Sequence, residues 1–162
     1  MANSKLAIGV LALVVGSVFA ADEQQIAANY QRAVAGDKQA VEKCIALLEA
    51  AVSERPTDQV ARVYLGSAYT LRSRDMSFGP AKLSTLNRGL ATMDTAVAAA
   101  PENPRVRLVR ALTTDSLPFF LGRRKSSRDD FEWLARAAAH SPEKFSSDDL
   151  ATIRAHAAGR GR

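Results

Sequence analysis

The spacing of apolar and polar side chains predicts a helical protein. Along most of the 162 residues, apolar positions recur at steps of three and four, which places them on one face of an α-helix. Ala is abundant and runs of β-branched residues are few, which favours helices over strands. We therefore predict an all-α domain over residues 22–158, with seven helices forming three antiparallel pairs and a C-terminal capping helix.

The apolar faces of the predicted helices define an expected core, and one glycine lies inside such a face. Gly66 falls in the middle of the third helix, where it costs about 1 kcal/mol relative to Ala. A glycine at such a position favours the close approach of a neighbouring helix. The expected core residues are Ile26, Ala27, Tyr30, Val34, Val41, Cys44, Ile45, Leu48, Ala51, Val52, Val60, Val63, Tyr64, Ser67, Ala68, Leu71, Leu83, Leu86, Leu90, Met93, Val97, Val106, Val109, Ala111, Leu112, Phe131, Leu134, Ala137 and Ala138.

Short polar side chains mark the predicted helix starts. Asp58, with Thr57 before it, can cap the third helix, and Asn103 stands before a proline at the start of the fifth. Two later starts are predicted from a Ser followed three residues on by an Asp, an arrangement that resembles a capping box. These pairs are Ser127 with Asp130, and Ser146 with Asp149.

A recurring terminator indicates that the helices form repeats. An Ala followed five residues later by a Pro closes every second helix, because proline cannot continue a helix and restricts the residue before it. The motif returns after roughly 41 to 45 residues, a period typical of stacked helix–turn–helix units. Its three copies are Ala51 with Pro56, Ala96 with Pro101, and Ala137 with Pro142.

The middle unit resembles a tetratricopeptide repeat (TPR). A Leu-Gly pair with an aromatic residue three positions later is typical of the first helix of that family's unit, and a small, bulky, Ala and Pro series is typical of the second. The outer units match less well, and the stretches 74–81 and 117–125 make the hairpins longer than the usual 34-residue unit. The matching residues are Leu65, Gly66 and Tyr69, with Tyr64 before them, and then Gly89, Met93, Ala96 and Pro101.

The resemblance implies a right-handed superhelical stack of about three hairpins whose first helices line a concave groove. A groove of this kind implies a protein or peptide partner rather than a reaction. The family's peptide-carboxylate clamp uses Lys and Asn at positions where this chain has Val63 and Ser67, so that mode of binding is not expected. The side chains expected to face the groove are Ser67, Thr70, Arg107, Arg110 and Thr114. For the two arginines, the alternative is that they are ordinary solvated side chains.

The N-terminus has the pattern of a cleavable signal peptide over residues 1–20. Lys5 precedes an apolar run from Leu6 to Val18, and small residues at positions 18 and 20 suit a signal peptidase. The run is shorter than the roughly 20 residues that span a bilayer. We expect export to a bacterial periplasm, with secretion or an uncleaved anchor as alternatives, and a disordered tail over 159–162.

Two overlong loops form a second candidate surface. The formal net charge is +5, and basic residues are concentrated between residues 105 and 128. Exposed Phe rings beside this basic stretch would suit a membrane protein or an anionic lipid surface. We expect instead that the loops fold back and seal the ends of the hairpins, since the rings would otherwise lie in water, and the membrane contact is the alternative. The residues concerned are Phe78, Phe119, Phe120, Arg123 and Arg124.

Chemistry-bearing side chains are sparse, so no catalytic residue, metal site or cofactor is predicted. His140 and His156 are the only histidines, and no cysteine or second histidine stands at metal-ligand spacing from either. Cys44, the single cysteine, is interpreted as a small core residue, with pairing to another chain as the alternative. Nucleic acid is not an expected partner. A small-ligand site near His140 is the remaining alternative.

Overall fold

Seven α-helices make up nearly all of residues 23–159, which are the residues that the computed structural model describes. The all-α prediction is confirmed, because no strand occurs in this part of the chain. The predicted signal peptide and residues 160–162 lie outside it. The helices are α1 (23–34), α2 (Lys38–Glu54), α3 (Gln59–Arg74), α4 (Pro80–Ala99), α5 (Pro104–Asp115), α6 (Arg124–His140) and α7 (Ser147–Gly159), with short 3-10 turns at Phe119–Leu121 and Pro142–Lys144.

The core is divided into three clusters, each built by three consecutive helices. The first cluster joins α1, α2 and α3, the second joins α3, α4 and α5, and the third joins α5, α6 and α7. Helix α3 packs against α2, α4 and α5, and is buried on most of its surface. The most deeply buried large side chains include Tyr69, Leu48, Met93 and Leu134. Elements adjacent in sequence therefore supply each other's apolar contacts.

Helices α3 and α4 approach closely where two glycines face each other. A Cβ atom added to Gly66 would lie 2.7 Å from the carbonyl oxygen of Gly89, and one added to Gly89 would lie 2.6 Å from the carbonyl oxygen of Gly66. Met93 fills the adjoining space, 2.5 Å from the position of the Gly66 Cβ. The close approach predicted from a glycine inside a helix is confirmed.

Most of the predicted helix starts are confirmed by hydrogen bonds. The Asp58 carboxylate accepts from the Ala61 amide at 2.9 Å, and Asn103 Oδ1 accepts from the Arg105 amide at 3.0 Å. Ser146 and Asp149 form a reciprocal pair in which the Asp149 amide donates to Ser146 Oγ at 3.1 Å. At the far end, α7 includes Gly159 and so reaches one residue into the predicted tail.

The capping role predicted for Ser127 and Asp130 is wrong. Helix α6 begins three residues earlier, at Arg124, so both side chains lie within the helix and are buried. Ser127 Oγ donates to the carboxylate of Asp115 at 3.2 Å, while Asp130 faces α5. An Asp in a helix interior and an Asp in a first turn look alike in the sequence, and the packing of α5 decides between them.

The predicted core is mostly buried, with a few exceptions at its edges. Ala27, Val34, Leu83 and Leu112 are exposed, so these four core predictions are wrong. The burial of Leu108 and Ile153 was not predicted from the spacing. The third cluster needs both of these side chains to join α5 and α7 to α6.

Candidate functional site

Three phenylalanine rings stand in solvent on the two overlong loops. Phe78 is 88% exposed, Phe119 71% and Phe120 73%. The interpretation that these rings fold back and seal the hairpins is therefore wrong. In the second loop, Leu117 and Leu121 turn inward and pack against the cluster of α3, α4 and α5. Exposed aromatic rings of this size are the informative exception on a protein surface.

The Phe119–Phe120 pair has a defined geometry. The two rings meet edge to face, with 6.0 Å between their centroids, and Phe78 makes no ring contact with either. The 3-10 turn that carries them closes at Gly122, whose φ of +67° lies in the left-handed region that favours glycine. Leu121 is thus directed into the core while the two preceding rings point away from it.

The basic residues that follow this turn fall into two groups. Arg123 is largely buried and donates to both oxygens of Asp94 at 2.7 Å, so it links the loop to α4. Lys125 pairs with Asp129 at 2.6 Å, but both side chains are mostly exposed. Arg124 is exposed and has no ion pair with any residue in 23–159. Arg124 and Lys125 therefore keep most of their charge available to solvent.

The two arginines expected to face a groove bind an acidic side chain of the chain itself. Arg107 donates to Asp130 Oδ1 at 2.8 Å, and Arg110 donates to both Asp130 oxygens at 2.7 and 2.9 Å. Asp130 is completely buried. Although burial alone lowers the pKa of Arg110, its hydrogen bond to Asp130 and the charge of that carboxylate raise it overall. The anionic group that these two arginines bind is therefore the Asp130 carboxylate of the same chain.

The remaining predicted groove residues are buried. Ser67, Thr70 and Thr114 are at most 5% exposed, so none presents its side chain on the surface. Ser67 instead joins three helices, because its hydroxyl lies 2.7 Å from Tyr30 Oη and 2.8 Å from Thr113 Oγ1. Burial raises the pKa of Tyr30 to about 12, although its hydrogen bond to Ser67 acts in the opposite direction. The hydroxyl groups of these side chains form their hydrogen bonds inside the protein. Partner binding through the groove stays a prediction.

A first cleft of about 410 Å³ lies between α1 and the start of α3. Tyr30 and Tyr64 meet edge to face at its wall, with ring centroids 4.8 Å apart. At the rim, Arg55 lies 3.8 Å from Glu23 and 3.5 Å from Asp58. The cleft is mainly apolar and its charged groups neutralise each other.

A second cleft, of about 360 Å³, lies beside the C-terminal half of α6. His140 is on its rim and exposed, so the tight polar pocket that a hydrolase or ligand carrier would need around this residue is not found. Trp133 and Phe145 form part of the lining, together with basic side chains. The sequence pattern had predicted no role for Trp133.

The described residues offer little else for chemistry. No group of three or more His, Cys, Asp or Glu side chains in residues 23–159 could hold a metal ion. Cys44 is buried, and burial raises its thiol pKa to about 11. Within the same residues, no helix is long and apolar enough to cross a membrane.

Comparisons with known proteins do not assign this chain. No protein-family model, curated protein or solved structure matches it significantly.

Proposed function

We propose that the chain is a non-catalytic protein-interaction module of the bacterial cell envelope, exported by its N-terminal segment. The exposed Phe119–Phe120 pair carries the proposal. Fully burying a phenylalanine side chain gains roughly 1.5–3 kcal/mol, so a partner covering both rings would gain several kcal/mol before the costs of association. Isolated exposed apolar residues need no explanation, but an adjacent pair on a turn held by Leu121 and Arg123 is a preformed contact.

We further propose that the helices form a TPR-like stack. Three observations support this arrangement: each core cluster joins only consecutive helices, α3 and α4 meet at the glycines of the matching motif, and α3 contacts both α4 and α5. In repeat proteins each unit contacts only its neighbours, and the units together present a broad binding surface. The stack would then act as a support that holds the two Phe loops in place.

The test is a differential capture from an envelope fraction. The purified protein and its Phe119→Ser/Phe120→Ser variant serve as parallel baits, and Leu83→Ser, which changes an exposed apolar residue on α4, is the matched control. We expect one or more proteins to be retained by the native chain and by Leu83→Ser but lost with the double variant. Equal retention by all three baits would refute docking through this turn.

A second candidate function is docking on an anionic lipid surface. The exposed charge of Arg124 and Lys125 directly follows the Phe pair, and apolar tips beside basic residues suit the membrane interface. This function predicts co-sedimentation with vesicles rich in phosphatidylglycerol, weakened by salt and by Arg124→Glu/Lys125→Glu. Absent or salt-independent sedimentation would exclude it.

A further inference from the structure

The second cleft, beside the C-terminal half of α6, is lined by both aromatic and basic side chains. Helix α6 contributes Trp133, Arg136, Ala137 and His140, which follow one another at i, i+3, i+4 and i+7 and therefore lie on one face. Glu102 and Pro104 line the cleft from the turn before α5 and from its first residue. After α6, the lining continues with Ser141, Lys144 and Phe145.

Three side-chain donors of this cleft have no hydrogen-bond partner among the described residues. Neither the Arg136 guanidinium, the Lys144 ammonium nor the Trp133 indole N–H bonds to a side chain or carbonyl of residues 23–159. Nearby arginines behave differently, since Arg105 pairs with Asp149 at 3.1 Å and Arg107 with Asp130 at 2.8 Å. Two cations thus line one cleft without an ion pair to any residue of 23–159, although the Glu102 carboxylate also belongs to the lining.

The aromatic wall of the cleft is fixed in place. The Arg107 guanidinium lies over the Trp133 ring, 4.7 Å from its centroid, and is itself held by Asp130 and by the Pro101 carbonyl oxygen at 2.5 Å. Phe145 is half-buried and packs against the cluster of α5, α6 and α7. A ligand would therefore meet a preformed apolar surface with unpaired cations beside it.

We propose that this cleft binds an acidic peptide segment of a protein partner, with a carboxylate between Arg136 and Lys144 and the next apolar side chain against Trp133. The proposal rests on the function as an interaction module and names the partner's chemistry at a second surface. A volume of about 360 Å³ suits a few side chains rather than a large ligand. Guanidinium and ammonium groups bind carboxylates through charge-assisted hydrogen bonds.

One further feature favours a carboxylate peptide. The Glu102 carboxylate of the lining can accept a hydrogen bond from a peptide N–H, and it would repel a doubly charged phosphate more strongly than a singly charged carboxylate. Cations near the C-terminus of a helix also stabilise its dipole. The helix dipole accounts for Arg136 near the C-terminal end of α6, but not for the presence of an indole and a phenylalanine ring in the same cleft.

The test uses the intrinsic fluorescence of Trp133, which is the only tryptophan of the chain. The purified protein is titrated with the capped tetrapeptide Gly-Glu-Phe-Gly and with its Gln counterpart, Gly-Gln-Phe-Gly. We expect a saturable emission change for the Glu peptide with a Kd on the order of 0.1–1 mM, and at least ~10-fold weaker binding of the Gln peptide. No saturable change, or equal binding of both peptides, would overturn the proposal.

Variants separate the cleft from general charge effects. Arg136→Ala and Lys144→Ala should each weaken the Glu peptide about 10-fold, whereas Arg154→Ala, an exposed arginine on α7 outside the cleft, should not. Circular dichroism confirms that each variant is folded. An equal loss with Arg154→Ala, or tighter binding of a phosphoserine peptide than of the Glu peptide, would also contradict the assignment.

The outcome is distinguishable from that of the proposed docking turn. Phe119→Ser/Phe120→Ser should leave the peptide titration unchanged. If all baits capture the same proteins while the Glu peptide still binds saturably, only docking through the Phe119–Phe120 turn is refuted. If the double Phe variant loses captured proteins as expected but the Glu peptide gives no saturable fluorescence change, only the proposal for the cleft is refuted.

Discussion

Asp130 provides the sharpest test of what holds α5 against α6. The Asp130→Asn substitution keeps the size of the side chain but removes the charge that two guanidinium groups share at 2.7 to 2.9 Å. Asp130 is fully buried, and the side chains of Arg107 and Arg110 are only 16% and 14% exposed. Solvent therefore screens this cluster weakly, and removing one member leaves positive charge that water cannot fully stabilise.

The expected cost of Asp130→Asn is about 3 kcal/mol of unfolding free energy. Breaking a buried ion pair by removing one partner costs about 3–5 kcal/mol. The lower end applies here, because Arg110 keeps Asp94 at 3.0 Å and Arg107 keeps the Pro101 carbonyl. For a domain of this size, that loss corresponds to a fall in Tm on the order of 10 °C.

Urea titration followed by far-UV circular dichroism measures the effect. Asp129→Asn is the matched control, because it removes a neighbouring carboxylate that, within residues 23–159, forms an ion pair with the mostly exposed Lys125. We expect the control to leave the urea midpoint unchanged within error and the Asp130 variant to lower it clearly, both at low and at high salt. If the two variants have the same midpoint, the buried carboxylate does not stabilise the contact between α5 and α6.

Three further predictions concern packing and titration. Gly89→Ala should lower the unfolding free energy by about 1–3 kcal/mol, because the new methyl group would lie 2.6 Å from the Gly66 carbonyl oxygen. Gly79→Ala, whose new methyl group would have no atom within 4 Å, is the control and should not lower it. Thermal melts measure both variants. Because folding raises the pKa of Tyr30 from 10.0 to about 12, its stabilising contribution should be complete below pH 10 and be lost as the pH rises through 12. In Tyr30→Phe, the unfolding free energy should therefore fall less steeply with pH between pH 10 and 12 than in the native protein. An equal slope in the two proteins would contradict this. Cys44 is buried with its pKa raised to about 11, so thiol alkylation followed by mass spectrometry should be slow in buffer and fast in denaturing urea.

The helices and most of their starts could be predicted because the information is local. Helical spacing, proline positions and the caps at Asp58 and Asn103 involve residues within one turn of each other. The glycine at position 66 also predicted a close helix contact correctly, because few other reasons place a glycine inside a buried helical face. These features do not depend on how distant segments meet.

The candidate sites were less predictable because long-range contacts decide them. Ser127 and Asp130 have the spacing of a helix start, and only the arginines of α5 show that the carboxylate is an internal counter-ion. One clue was present: Asp130 falls between Ser127 and Leu134 at helical spacing, on the buried side of α6. The exposure of Phe119 was not predicted, since a loop aromatic can turn either way and the turn before Gly122 settles it.

Many of the basic side chains form ion pairs within the chain, so the net positive charge overstates how many of them are free to bind a partner. Arg105, Arg107, Arg110 and Arg123 all bind carboxylates of their own chain, so much of the basic stretch stabilises the stack and is not free to attract a partner. Two places combine exposed cations with aromatic rings, the start of α6 beside the Phe pair and the cleft at its other end. Because each place combines positive charge with an aromatic surface, both would recognise a partner that is acidic and apolar at once. A partner that is only acidic would gain little from either, since exposed ion pairs contribute about 0–1 kcal/mol.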